Sequence, residues 1–484
     1  MTKRSDEKSL MQLEEVLSAV EGALLSKEFS TTDFCFTSVA ADSRNCTESS
    51  LFIPLVGSVD GHDFIEKAFD NGARTVFVNE FYAGFHSNEI RSLSSKGMCV
   101  ISVSHTMYAL QKLAAAYLSK FASLKRIGIT GSSGKTTTKE ILVSLLSQKY
   151  SVVCNEGNFN SETGLPLSVF SVREYHEYGV FEMGMNRKGE IGELAAVLKP
   201  HYGIITNIGT AHIGILGTKA AIAEEKKRIF SYFTKNSCAV IPADDDYAEF
   251  LCNDTKGTIC LYGDYKELEI TDVKDEGLLG TSFVLDQQHI TFPLPGPYNF
   301  KNALAALTVA LQEDLSTQEI KKGLESIKPL FGRSEILSGE ITIIQDCYNA
   351  NPDSMREACS FFESLQWDGK KWYVLGDMLE LGDDSETAHR EVGTMLTSSD
   401  AAGFFLTGSQ MAFTHEELLN NKKSGVVYAH NIVNGSLSDF IDAVCRSIEK
   451  NDLVLIKGSR GMKLERVTEK LSEVFSISSG SIGT

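Results

Sequence analysis

No stretch of the chain reaches the about 18 uninterrupted apolar residues that a membrane-spanning helix requires, so a membrane protein is not expected. The first ten residues mix Lys3, Arg4, Asp6, Glu7 and Lys8, and no apolar core follows, which argues against a secretory leader. The ten cysteines are scattered without a Cys-x-x-Cys pair. That disfavours a disulfide framework or a thiolate zinc site, and they read as small buried hydrophobes in a reducing cytosol. Neither a solenoid-period repeat nor a long low-complexity tract interrupts the chain. Positive charge is also short: 46 Lys and Arg against 64 Asp and Glu leave a net charge of −18. Such a surface repels polyphosphate backbones, which argues against nucleic-acid binding and stable membrane association. Small anionic ligands stay open, because a few focused cations reverse a local field.

What is present is ordinary for a folded protein, with 42% hydrophobic and 23% charged residues. At roughly 150 residues per domain, 484 residues imply about three domains. Up to about residue 102, strand-like runs (Ser50 to Leu55, Thr75 to Val78) flank a helical stretch, Phe64 to Asn71, with Gly72 as its stop. His105 to Lys120 repeats apolar residues at helical spacing. Strands and helices then alternate, with strands expected at 126–130, 179–181, 203–206 and 239–242. The texture breaks near Pro329 to Gly332, and a second alternating series follows, with strands at 341–345, 372–375, 403–406, 425–428 and 453–456. Alternation of this kind implies parallel β/α units. The tail from Ser476 to Thr484 is small and polar and is expected to fray. An α/β fold follows: a smaller α/β domain over 1–102, a central nucleotide-type α/β domain over 103–332 and a doubly wound, Rossmann-like domain over 333–484.

The most informative stretch is Gly128-Ile-Thr-Gly-Ser-Ser-Gly-Lys-Thr-Thr-Thr, set between a strand and a helix. Gly131 and Gly134 let the backbone curl so that N–H groups, including those of Ser132 and Ser133, point at phosphate oxygens. Lys135 brings charge to the terminal phosphates, Thr136 offers a hydroxyl to Mg²⁺, and the helix from Thr137 adds its positive end. Ile129 stands where the strict pattern wants glycine, so the loop is a G-x-x-G-K-T variant. ATP binding is expected, against the plain alternative of a glycine-rich turn with a solvated lysine.

This loop, Asn158-Phe-Asn-Ser-Glu-Thr-Gly-Leu-Pro-Leu, Phe181-Glu-Met-Gly-Met-Asn, Thr206-Asn-Ile-Gly-Thr-Ala-His, Tyr298-Asn-Phe-Lys-Asn and Gly332-Arg333 together resemble the Mur ligase family. Those are ATP-dependent amide-bond ligases of peptidoglycan precursor synthesis, and the resemblance spans nearly the whole chain. Three further blocks, Asp346-Cys-Tyr-Asn-Ala-Asn-Pro-Asp-Ser-Met, Leu375-Gly-Asp-Met-Leu-Glu-Leu-Gly and Lys457-Gly-Ser-Arg, look like the member that adds D-alanyl-D-alanine to UDP-N-acetylmuramoyl-tripeptide. Ala350-Asn-Pro-Asp353 departs from the Asp-Asn-Pro-Arg of the sister enzyme that adds the third residue. Tyr298 and Ser161 depart from the family, which often has His and Asn there.

The resemblance implies a cytoplasmic, monomeric enzyme using ATP, two Mg²⁺ ions and a first domain that holds the UDP precursor. It makes Glu182 and His212 metal ligands beside Thr136, and places Lys226 where a lysine is carbamylated by CO₂. By charge alone, Ala223 to Ile229 reads as a solvated helical face, with Lys227 as the neighbouring choice. Only a neutral amine reacts with CO₂, so Lys226 would need partial burial. Asn299 and Asn302 go to the adenine side, with N-capping as the local alternative. Arg333 goes to the ATP phosphates and Asp346 to the ribose or metal waters. Asn158 and Asn160 go to phosphate or substrate, Ser43 and Arg44 to the UDP diphosphate, each with a turn as the local alternative. Asn349, Asn351, Asp353, Lys457, Ser459 and Arg460 go to the incoming dipeptide, with interdomain salt bridging as the competing account. Two other readings, a related amide ligase such as a folyl-polyglutamate synthetase and a nucleotide switch that forms no bond, leave Tyr348-Asn-Ala-Asn-Pro or Lys457-Gly-Ser-Arg unexplained.

Overall fold

Strands buried on both faces need helices above and below, and that requirement shapes most of this molecule. The computed structural model describes residues 9–26, 34–429 and 437–477. Near the amino terminus a five-stranded sheet runs in the order Ala23–Leu24, Cys99–Val103, Ala73–Asn79, Ser50–Phe52, Ser38–Ala40. All of its pairs are parallel except the one joining Ala23–Leu24 to Cys99–Val103. The helix Thr106–Ser119 leads out of it, buried along Leu110, Leu113, Ala114 and Leu118.

The central sheet is six-stranded and wholly parallel, ordered Thr258–Tyr262, Cys238–Pro242, Tyr202–Ile205, Lys125–Thr130, Tyr178–Glu182, Val152–Cys154. Chain order reverses about Lys125–Thr130, and in open parallel sheets such a switch point opens a crevice at the carboxyl ends of the strands. Ile127, Ile129, Val180 and Ile204 of this sheet share one core with Ile141, Leu142 and Leu145 of the helix Lys135–Leu146. Each fully buried side chain of this size contributes about 1.5–3 kcal/mol. The helix Pro297–Gln312 packs beside Lys135–Leu146 and holds it against the sheet.

The second six-stranded sheet is ordered Glu335–Ser338, Thr342–Asp346, Leu453–Lys457, Lys371–Gly376, Gly403–Thr407, Val426–Ala429. Only its first pair is antiparallel. Strands expected from the sequence occur with ends moved by one to three residues. The elements not anticipated include the short strand Val152–Cys154, the strand Thr258–Tyr262, the edge strand Glu335–Ser338, and a three-stranded antiparallel sheet, Ile270–Asp275, Thr281–Leu285 and Gln288–Phe292. The tight hairpin in that last sheet turns on Asp286 and Gln287, at φ +45° and +62°. Both central residues of such a turn need positive φ, which Asn-Gly or Asp-Gly usually supplies. Asp-Gln hides the signal, and exposed charges on Ile270–Asp275 hide the strand. The expected frayed tail lies outside the described residues from residue 478 on.

Candidate active site

The strand Lys125–Thr130 delivers Gly131 to Gly134 to the switch point, and the helix Lys135–Leu146 carries the chain away. Gly134 sits at φ +76°, and a Cβ there would fall 2.3 Å from Asn302 Oδ1. At Gly131 a Cβ would fall 1.7 Å from Thr206 Oγ1, so a side chain at either position must push its neighbour aside. The N–H groups of Ser132 and Ser133, expected to face phosphate, instead both donate to Asn207 Oδ1, at 3.1 Å each, because that amide oxygen reaches into the curl of the loop. Thr206 Oγ1 donates to the Ser133 carbonyl at 2.6 Å. Sequence reasoning gave Thr206 and Asn207 no role, although they follow a strand end directly. Lys135 Nζ donates to the Gly131 carbonyl at 2.8 Å, and burial lowers its pKa against the pull of Glu182.

The loop opens on a cavity of about 320 Å³ lined by residues 132–137 together with Asn158, Asn160, Glu182, His212, Asn299, Asn302, Arg333, Asp346, Asn349, Asn351 and Lys457. Residues from both six-stranded sheets therefore meet in one space. Glu182 ends the strand Tyr178–Glu182 and is buried. Its carboxylate accepts from Thr136 Oγ1 and Asn160 Nδ2, each at 2.7 Å, while Asn155 braces its backbone on both sides. His212 is a non-glycine residue at φ +67°, and burial, then Lys135 and Lys226, push its pKa down to about 3. Its ring is therefore neutral near pH 7. Its Nδ1 lies 3.3 Å from Glu380 Oε2 without forming a hydrogen bond.

Lys226 lies inside rather than on a solvated face, together with Ile222, Ala223 and Glu225 of the helix Lys219–Lys227. Burial, reinforced by the Lys135 charge, lowers its pKa well below the ordinary lysine value, so a neutral amine is accessible. The neighbouring Lys227 points outward and donates to the carbonyls of Phe250 and Asn253.

Neither Asn299 nor Asn302 caps the helix Pro297–Gln312, whose N-cap is Gly296; Asn299 Nδ2 donates back to the Pro295 carbonyl at 2.7 Å. Arg333 lies over the Tyr348 ring, 4.0 Å from its centroid, and lines the cavity. Asp346 and Lys457 are register partners on adjacent strands and pair at 2.5 Å, so this salt bridge lies within one sheet and does not join domains. Asn349 Oδ1 accepts from the Ala350 N–H, and Asn351 caps the helix Pro352–Ser364. Ser459 Oγ is engaged with Leu379 N and the Ala350 carbonyl, and Arg460 with Glu465. Ser459, Arg460 and Asp353 stand outside the cavity lining. Far from the cavity in sequence, Ser43 and Arg44 form a 3-10 turn capped by Asp42. The hydrogen bonds from Arg44 hold the Asp42 carboxyl down at about 2. That turn is the local reading of the same letters, present in the structure.

Among the described residues no three His, Cys, Asp or Glu side chains cluster as a ready metal cage. What the site offers is a curled loop of N–H donors, a lysine, and a buried carboxylate against a hydroxyl, facing a second sheet across a cavity. Comparison with known proteins gives this arrangement a relationship. The Mur ligase middle domain matches residues 129–310, and the Mur ligase, glutamate ligase domain matches residues 332–460. The chain is 43% identical over 463 residues to the UDP-N-acetylmuramoyl-tripeptide–D-alanyl-D-alanine ligase of Treponema pallidum (strain Nichols), covering 95% of this chain and 98% of that one. Among solved structures it resembles MurF from Acinetobacter baumannii with a TM-score of 0.83 at 28% identity, over 95% of this chain and 98% of that one. It also resembles the MurF ligase from Thermotoga maritima in complex with ADP, TM-score 0.75 at 28% identity, over 91% of this chain and 98% of that one. On these matches and this site, the chain belongs to the Mur ligase family.

Proposed function

We infer that the chain is an ATP-dependent ligase that joins D-alanyl-D-alanine to UDP-N-acetylmuramoyl-tripeptide, forming the pentapeptide precursor of peptidoglycan. The observation that carries this reading is the shared cavity, in which a phosphate loop faces Arg333, Asp346, Asn349 and Lys457 from the region of the second sheet. The near-full-length likeness to a ligase of that name supports the substrates. The ADP-bound neighbour supports the nucleotide.

A carboxylate is a poor electrophile. In this reading an oxygen of the tripeptide's terminal carboxylate attacks the γ-phosphorus of ATP and ADP leaves. The free amine of the dipeptide then attacks the acyl carbon, phosphate departs and the amine loses its proton. Both steps crowd anions together, so the protein's task is to neutralise repulsion and align oxygens. Lys135 and the loop N–H groups beyond Ser133 take the phosphates, and Arg333 adds a forked donor from across the cavity.

Glu182 and Thr136 suit Mg²⁺, since a hard cation favours a buried carboxylate and a hydroxyl 2.7 Å apart. His212, neutral and with Nδ1 lacking a hydrogen bond, and Lys226 as a carbamate suit a second ion. Bound there, the metal ions would supply charge neutralisation for the phosphoryl oxygens. Asn160 keeps Glu182 aimed, and Asn158, Asn299 and Asn302 line the nucleotide side. We assign residues 1–102 to the UDP precursor, 103–332 to ATP and 333–484 to the dipeptide, in a cytoplasmic monomer. No helix among the described residues is long and apolar enough to cross a membrane, which fits that setting.

The experiment is direct. Phosphate release from ATP is expected only when both the UDP-tripeptide and D-alanyl-D-alanine are present; steady hydrolysis without either acceptor would sink the ligase reading. A second expectation concerns the loop. Gly134→Ala forces a side chain to φ +76° and 2.3 Å from Asn302 Oδ1. The backbone cost is about 1–2 kcal/mol, so ADP affinity should fall about fivefold to thirtyfold with the circular dichroism spectrum unchanged. Unaltered ADP affinity by calorimetry would remove the loop from the nucleotide site.

A further inference from the structure

His212 sits in a loop that the second sheet's domain grips at several points. Thr210 N and Thr210 Oγ1 both donate to Asp353 Oδ2, at 2.6 and 2.8 Å. The other Asp353 oxygen faces Arg356 of its own helix at 3.5 Å. A Cβ on Gly209 would meet Asp353 Oδ2 at 2.4 Å, so the approach of helix and loop depends on that glycine. Two residues past His212, Gly214 lies so close to Gly382 that a Cβ would stand 2.6 Å from its nitrogen. Ile213 packs against the hydrophobic core on the second sheet's side. On its other side the loop touches the phosphate loop, through Gly209 N donating to Ser132 Oγ at 2.8 Å.

His212 itself holds a left-handed backbone, which a non-glycine residue keeps only where its surroundings impose it. Thr210 is two residues upstream, and it makes two hydrogen bonds to one carboxylate oxygen from the second sheet's side. We propose that Asp353 is a positioning residue, which docks the Gly209–Gly214 loop and so sets His212 against the phosphate loop, and that it does not bind the incoming dipeptide. The proposal rests on the ligase reading above. It explains why Asp353 stands outside the cavity lining while Asn349 and Asn351, from the same block, stand in it. It also makes completion of the nucleotide site depend on contact with the dipeptide-binding domain, so phosphoryl transfer is favoured when the two are together.

The test uses the full-length enzyme carrying Asp353→Ala, Thr210→Val, both together, or Thr210→Ser. Each of the first two is expected to lower kcat about tenfold to a hundredfold, as a displaced catalytic group would, with the dipeptide KM changed less than about threefold. Hydroxylamine trapping of the acyl phosphate, with ATP and UDP-tripeptide but no dipeptide, should fall in parallel. The double variant should be no slower than the slower single one, because both remove one interaction. Thr210→Ser keeps both donors and should match the unmodified chain. A raised dipeptide KM in Asp353→Ala with Thr210→Val silent would overturn the proposal in favour of a dipeptide ligand. Lowered thermal stability with unchanged kcat would overturn it in favour of a structural role. Failure of the ligase reading looks different: the unmodified chain would then show no dipeptide-dependent phosphate release. Small-angle scattering would still report docking, as a larger radius of gyration in Asp353→Ala, and an unchanged radius would count against it.

Discussion

Lys135→Ala is expected to lower ATP-dependent ligation by about a thousandfold or more. Its ammonium is the cation of the loop, fixed by a 2.8 Å hydrogen bond to the Gly131 carbonyl and placed at the start of the helix Lys135–Leu146. A single charge pair about 4 Å apart, at an effective dielectric of about 20, is worth about 4 kcal/mol. Expressed in the transition state, that is about a thousandfold in rate. The same substitution removes a buried ammonium whose pKa burial already lowers, so the fold should not suffer. The measurement is phosphate release with all three substrates, beside a thermal melt of the same preparation. Activity within tenfold of the unmodified chain, at an unchanged melting temperature, would refute the loop assignment. Lys135→Arg should not restore it, because a planar fork does not reproduce a point charge in a space shaped by glycines.

The residues that carry chemistry differ in how far their letters reveal them. The phosphate loop was legible because glycines at fixed spacing between a strand and a helix, followed by a lysine, serve few purposes besides cradling phosphate. Strand order was not, because nothing local says that Lys125–Thr130 lies between Tyr202–Ile205 and Tyr178–Glu182. Asn207 was invisible as a brace of the loop, since it follows a different strand some seventy residues later and acts through its amide oxygen. The Asp353–Thr210 contact is hidden for the same reason. Asp346 and Lys457 were assigned to different ligands, yet they face each other in register, and pairing across parallel strands cannot be read from either segment.

Lys226 is the sharpest of these cases. A run of Glu224, Glu225, Lys226, Lys227 and Arg228 looks uniformly solvated, because adjacent charges carry no periodicity that marks an inner face. Tertiary contacts decide instead. Glu225 turns inward to accept from Gly189 N and Ile191 N at the start of another helix, and Lys226 follows it into the interior.

Lys226→Met is expected to raise thermal stability in bicarbonate-free buffer near pH 7 while lowering ligation at least about a hundredfold, the pattern of a residue kept for chemistry against stability. The sign follows from proton binding. Burial depresses the folded-state pKa, so below the ordinary lysine value the unfolded chain holds the proton more tightly. Stability of the unmodified chain should therefore climb with pH from that depressed pKa toward about 10.4. In Lys226→Met the part of the climb that this lysine contributes is absent, and the stability gain shrinks as the pH rises. The neutral amine that makes burial tolerable is also the form that adds CO₂. Activity of the unmodified chain should then drop in bicarbonate-free buffer and return when bicarbonate is supplied, with no such response in Lys226→Met. Lys227 offers a contrast on the same helix, half-buried and bonded to two carbonyls, and Lys227→Met should leave both the bicarbonate response and the rate near those of the unmodified chain. A bicarbonate response that follows Lys227 instead would move the carbamate to that neighbour. Indifference of the unmodified chain to bicarbonate, with Lys226→Met fully active, would leave the buried lysine without a part in the reaction.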